Sequence, residues 1–220
     1  MTLLEAIDAR HSVRRYLDKP IPAELRAALA QVLEEFNRKG DLNMQILYDE
    51  PECFSSRLAH YGHFENANNY IAVVGKKAAD LDERGGYWGE MLALTAQTLG
   101  LNTCWVALTH GKSKAQVNRD EKEVIVLSLG YGATQGKERP SKAAEELSDL
   151  ANDAPDWYRN GVAAAMKAPT ATNQQKFAIS RSGNAVRVKT GLVGPCLKID
   201  LGIVKCHFAL GAGEENFRWA

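Results

Sequence analysis

Cysteine is scarce in this chain of 220 residues. Cys53, Cys104, Cys196 and Cys206 are scattered, with no C-x-x-C pair. That density argues against a disulfide framework and for buried thiols in a reducing compartment. Neither sign of charge is in excess, with 27 Lys and Arg against 27 Asp and Glu. No long-range field therefore draws in nucleic acid or an anionic membrane. No apolar run approaches the roughly 20 residues that span a bilayer, and the opening MTLLEAIDARHSVRRY lacks an apolar stretch of signal-peptide length. The expectation is a cytoplasmic protein without nucleic-acid or membrane partners. At 45% hydrophobic and 25% charged the composition is that of an ordinary globular protein, long enough to bury a sizeable core.

The order of elements follows from periodicity and punctuation. Leu3, Leu4 and Ile7 share one face of a short helix that ends at an arginine cluster. Pro22 opens a second helix with Leu25, Leu29, Val32, Leu33 and Phe36 at helical spacing and Gly40 as its stop. MQILYD (44–49) and YIAVVG (70–75) read as strands, the second apolar enough to be buried on both faces. A long helix is expected from Tyr87 to Leu99, closed by Gly100. TCWVAL (103–108) and EVIVLSLGYG (123–132) read as strands around a short charged helix. Helices at 141–150 and 156–167, a hairpin at 176–188 turning on Ser-Gly-Asn, and a final helix over about 200–210 complete the chain.

An internal similarity crosses this order. GEMLALTAQTLGLNTCWVA (89–107) superposes without a gap on GIVKCHFALGAGEENFRWA (202–220), with Gly89 on Gly202 and Gly100 on Gly213. Helix, glycine stop and an extended piece ending on alanine recur in the same order, which points to a duplicated α+β unit.

Three segments carry candidate binding groups. Arg10-His11-Ser12-Val13-Arg14 can converge two guanidinium groups and a hydroxyl on a phosphate, or be a solvated basic helix end. Gly130-Tyr131-Gly132, followed by Lys137 and Arg139, lets backbone approach a flat ligand, or is an ordinary turn. APTATNQQKF (168–177) offers Pro169 and the neutral donors and acceptors of Thr170, Asn173 and Gln175, suited to the edge of a heterocycle or to a helix-to-strand connection. His60 and His63 beside Cys53 match no established ligand spacing, so no metal is expected. Cys206 and His207 are adjacent and face different sides of a helix. Tyr87, Trp88 and Trp105 read as core aromatics, Trp105 alternatively as a neighbour of a bound ring.

Taken together the three segments resemble the FMN-dependent nitroreductase family. ARHSVRRYLDKPIP is similar to its N-terminal arginine-x-serine-x-arginine signature, and GYGATQGKER to its strand end and lysine-x-arginine phosphate contact. APTATNQQKF is similar to its alanine-proline-serine and asparagine-x-glutamine segment, with Lys176 and Phe177 in place of proline and tryptophan. The run at 86–107 resembles the family's central helix and following strand. The resemblance implies an α+β fold with a mixed central sheet flanked by helices. It also implies FMN held by Arg10, His11, Ser12, Arg14, Gly130, Tyr131, Gly132, Lys137, Arg139, Pro169, Thr170, Asn173 and Gln175.

Motif order departs from the family. The asparagine-glutamine segment falls in the second half, where ordinary members have it soon after the arginines and complete the site across a homodimer interface. With the internal repeat, this resembles a single-chain pseudo-dimer: residues 1–140 form one half and 141–220 a second, shorter half. No second arginine-serine signature follows residue 150, so one FMN per monomeric chain is expected. The implied activity moves reducing equivalents from NAD(P)H to a nitroaromatic, quinone or similar small acceptor. No side chain acts as nucleophile or general base, in a site without acids. The alternative is a non-catalytic flavin- or nucleotide-binding protein on the same scaffold.

Overall fold

In the computed structural model the described residues are all of 1–220 except 56–58 and 60. Helix α1 (Leu3–Ala9) is fixed by a capping box in which Thr2 and Glu5 exchange side-chain and backbone hydrogen bonds. Helix α2 (Ala23–Gly40), strand β1 (Gln45–Leu47), the short α3 (Glu52–Ser55) and strand β2 (Asn69–Lys76) follow. Next come α4 (Leu81–Thr98), β3 (Asn102–Val106) and β4 (Glu121–Gly130). The second half contains α5 (Ala144–Leu147), α6 (Asp156–Ala165), β5 (Phe177–Ser182), β6 (Ala185–Thr190), α7 (Leu197–Ala212) and β7 (Arg218–Trp219).

Strands of the first half form an antiparallel sheet in the order β1-β2-β4-β3. Beyond β3 the arginine segment runs parallel to it through a Ser12–Thr103 bridge, which makes this edge mixed. Residues 69–75 of β2 are all buried, because both sheet faces are covered. Ile71 and Val73 meet the main core, whereas Tyr70, Ala72 and Val74 meet a second cluster with Phe54 and Val126. Strands β5 and β6 form the expected hairpin, and β7 adds to β6 in parallel.

Three expectations are corrected. Helix α4 starts at Leu81, six positions before Tyr87, so Gly85 and Gly86 lie inside it. Residues 107–120 contain no helix: the segment has no apolar stripe to bury, and too short a solvated run does not hold helical structure. It is instead anchored by Lys114 N–H on the Tyr70 hydroxyl (2.8 Å) and by Gln116 N–H on Gln45 Oε1 (2.9 Å). In 141–150 only Ala144–Leu147 is helical.

The halves join where α4 crosses α7. In the register that places Gly89 on Gly202, Gly86 falls on Ile199, and these two equivalents meet at the crossing. A Cβ at Gly86 would lie 2.2 Å from Ile199 O, and one at Gly202 would lie 1.9 Å from Glu83 O. Contact between equivalent residues is the signature of a two-fold axis, here a pseudo-axis inside one chain. Helix α7 has buried residues on nearly every side because α4, α6 and β6 all pack against it.

Candidate functional site

A cavity of about 1230 Å³ opens where the two halves meet. That exceeds the roughly 300–1,000 Å³ of a usual small-molecule site. The first half contributes Arg10, His11, Ser12, Arg14, Trp105, Lys137 and Arg139; the second contributes Pro169, Thr170, Asn173, Cys196, Ile199, Asp200 and Ile203. Nine of the thirteen residues expected at a flavin site therefore line one cavity despite their separation in sequence.

The basic wall depends on α1 and β3. Arg10 ends α1, and Val13 N–H donates to Thr103 O at 3.1 Å, so the arginine segment is held along the sheet edge. Gly136, at φ +79°, brings the 133–139 loop against this segment; a Cβ there would meet the His11 Cβ at 2.6 Å. Arg10 is only 5% exposed. Its Nε lies 3.3 Å from Glu90 Oε1, and neither Nε nor Nη1 has a hydrogen-bond partner among the described residues. Glu90, on α4, is fully buried; it accepts from Trp105 Nε1 at 2.6 Å and faces His207 Nε2 at 2.8 Å. Burial alone would push the Glu90 carboxyl up, but Arg10, His207 and the Trp105 N–H outweigh it and hold it below the usual carboxylate range.

The opposite wall is the turn at 168–175. Thr172, Asn173 and Gln175 have φ of 51°, 56° and 45°, a left-handed conformation costing roughly 1–2 kcal/mol per residue. A dense set of bonds holds it. Arg139 donates to Asn173 Oδ1 and to the carbonyls of Met166 (3.1 Å) and Ala168 (2.6 Å). Thr170 Oγ1 accepts Gln175 N–H at 3.0 Å, and Asn173 Nδ2 donates to Pro140 O at 2.9 Å. Asp200 on α7 accepts from Ala171 N–H (3.0 Å) and Gln174 Nε2 (2.7 Å). Burial, with the neighbouring Arg10, holds the Arg139 guanidinium below its ordinary range.

Four expected residues lie outside the cavity wall. Gly130 ends β4 against Tyr16; Tyr131 O accepts Leu17 N–H at 2.8 Å; Gly132 N–H donates to Asn102 Oδ1 at 3.0 Å. These three support the arginine segment from behind. Gln175 is buried and bonds Asn173 Oδ1 (3.0 Å), Lys142 N–H (2.9 Å) and Pro140 O (3.2 Å), so it fixes the Asn173 side chain. The cavity is not free of acids: Asp8, Glu138 and Asp200 line it. His63 also lines it, His60 lies outside the described residues, and Cys53 Sγ is 4.0 Å from His110 Nδ1.

Sequence reasoning missed Glu90 and Asp200, and weighed His207 only against its neighbour Cys206. A signal existed for the first: an acid on the buried stripe of α4, among Gly86, Leu94 and Gln97, must find partners. Asp200 is likewise a buried acid near the start of an apolar helix.

A profile of the family described as "Putative TM nitroreductase" matches residues 2–212. No curated protein sequence matches. Among solved structures, a nitroreductase-like protein of Thermotoga maritima is similar over 98% of this chain and 85% of its own, at 25% identity and TM-score 0.73. A Desulfovibrio desulfuricans protein, solved in complex with FMN, is 18% identical over 70% of this chain and 99% of its own, at TM-score 0.53. A Clostridium acetobutylicum protein described as an NADH oxidase is 17% identical over 68% and 99%, at TM-score 0.50. The latter two likenesses concern the fold alone.

Proposed function

The chain belongs to the family described as "Putative TM nitroreductase", and from that premise we propose that it is an FMN-dependent oxidoreductase. It takes reducing equivalents from NAD(P)H and passes them to a nitroaromatic, quinone or similar small acceptor. One observation carries the reading: a cavity built by both halves has in its wall a buried guanidinium, Arg10, with unpartnered N–H groups. Such donors are costly to leave unmet, and a phosphate oxygen satisfies them. The chain's residues therefore fit FMN.

FMN, when bound, supplies the two-electron chemistry. The chain supplies binding and orientation. Arg10, Ser12, Arg14 and Lys137 take the phosphate and ribityl chain. Glu90 holds Arg10 and Trp105 in place from behind. Arg139, with three of its five donors on Asn173, Met166 and Ala168, locks the two halves together beside the phosphate region. Thr170 keeps its hydroxyl hydrogen for the heterocycle, and Asn173 keeps its second Nδ2 hydrogen. Pro169, Ile199, Ile203 and Trp105 form the apolar surface on which a flat ring rests. Gly130, Tyr131, Gly132 and Gln175 act as supports. Residues 1–140 and 141–220 are the two halves, and one FMN binds per chain.

The test is the visible spectrum of the purified protein together with NAD(P)H turnover. A flavin spectrum, and steady NAD(P)H oxidation with a quinone or nitro acceptor, are expected. A flavin spectrum without turnover supports a binding protein instead, and a colourless chain that FMN does not stabilise thermally overturns both.

A further inference from the structure

Asp200 is a buried carboxyl in the cavity wall that helps hold the 170–175 turn and to which the reading above gives no part in the chemistry. It is 6% exposed and forms no ion pair among the described residues. The other two acids of the cavity differ: Asp8 and Glu138 are exposed, and Asp8 pairs with Lys167. Buried carboxylates are normally paired or give up their charge by protonation. Among the described residues Asp200 has no cation beside it, only N–H donors from the strained 170–175 turn.

The groups around it are few. Its own helix brings the Cys196 thiol one turn earlier, itself pushed up by burial and by Asp200. Helix α4 brings Asp82 towards Cys196, and Asp82 pairs with Lys122 at 2.7 Å. The 170–175 turn offers only amides and a hydroxyl. Arg10, Arg14, Lys137 and Arg139 belong to the basic wall of the same cavity.

We propose that Asp200 is the catalytic acid of the cavity, protonating the acceptor oxygen as the acceptor is reduced. The inference rests on the reading of the site as an FMN-dependent oxidoreductase. The acceptor gains two electrons and one hydrogen as hydride from the reduced flavin, which is oxidised. The second hydrogen is the Asp200 proton, which forms the new O–H bond and leaves a carboxylate that solvent reprotonates. For a quinone the sum is hydroquinone; for a nitro group it is nitroso plus water. Burial pushes the Asp200 carboxyl up to about 6, close enough to neutrality for one group to give and regain a proton in each cycle.

The experiment is acceptor reduction from pH 5 to 9 at saturating FMN, alongside carbon NMR of side-chain carboxyls. In the native chain the rate falls about tenfold per pH unit above the Asp200 titration, and one carboxyl titrates near pH 6. Asp200→Asn removes that resonance, flattens the profile and slows reduction at pH 6 by about 100-fold or more. Asp200→Glu restores an inflection at a displaced pH, and it serves as the test if the asparagine variant does not fold. The same inflection in Asp200→Asn as in the native chain overturns the inference, as does the lack of any carboxyl titrating near pH 6. If FMN binds and reduction shows a flat native profile, only the Asp200 role fails. If FMN does not bind, the oxidoreductase reading fails with it.

Discussion

Glu90→Gln isolates the charge on which the basic wall depends. The amide has nearly the same volume and keeps one acceptor oxygen, so packing is preserved while the Arg10 guanidinium loses its counter-ion. Both side chains are essentially sealed, Arg10 at 4% exposure and Glu90 at 0%. Solvent therefore does not screen the loss. Breaking a buried pair from one side costs about 3–5 kcal/mol, because the remaining charge is uncompensated. A chain of this size shifts its melting temperature by about 2–4 °C per kcal/mol, so a fall of about 6–20 °C is expected by circular dichroism. Adding Arg10→Met should recover at least half of that, since neither charge is then buried. The pH dependence gives the sign independently. The folded Glu90 carboxyl lies below its ordinary value of 4.5, so its contribution is complete above that value and is lost as pH falls through the lower folded value. The gap between native chain and variant should accordingly close in acid. A fall of less than about 2 °C at pH 7, or a gap indifferent to pH, would refute the assignment of Glu90 as the counter-ion.

Two further perturbations probe other joints. Gly202→Ala places a Cβ against Glu83 O at the α4–α7 crossing. A net loss of about 1–3 kcal/mol in urea unfolding is expected despite alanine's better helix propensity, and no loss would contradict the close crossing. Asp200→Asn should also change stability with a definite sign. The folded carboxyl is raised from 3.8 to about 6; its contribution is complete below 3.8 and lost as pH rises through 6. The native chain therefore forfeits up to about 3 kcal/mol between pH 4 and 7 that the asparagine variant does not. Parallel stability curves for the two across that range would show that Asp200 is not an elevated acid.

The strands were legible because burial on both faces writes itself as runs such as YIAVVG, and the hairpin because Gly183 and Asn184 turn it within two residues. The early start of α4 was not, because the Gly85–Gly86 pair reads as a break until α7 is known to cross there. The shared cavity was foreshadowed by the arginine segment and the amide-rich turn, which pair chemically though they lie far apart in sequence. What sequence could not supply is how side chains spend their bonds. Arg139 and Gln175 resemble ligand contacts, and in the fold three Arg139 donors and the Gln175 amide also fix Asn173 and the carbonyls around it. Tyr131 belongs to a strand end that resembles a ligand contact; its carbonyl holds Leu17 and its ring lies under Lys19 at 4.1 Å. Buried acids depend on non-local partners: Glu90 draws Arg10, Trp105 and His207 from three separate elements.

The central claim is one flavin site completed within a single chain by both halves. Calorimetric titration with FMN, at a chain concentration where sedimentation shows the mass of a monomer, tests it most directly. The account predicts one FMN per chain, with affinity falling at least tenfold in both Arg10→Ala and Asn173→Ala. No binding, two FMN per chain, binding only by an associated dimer, or a loss confined to one of the two variants would contradict it.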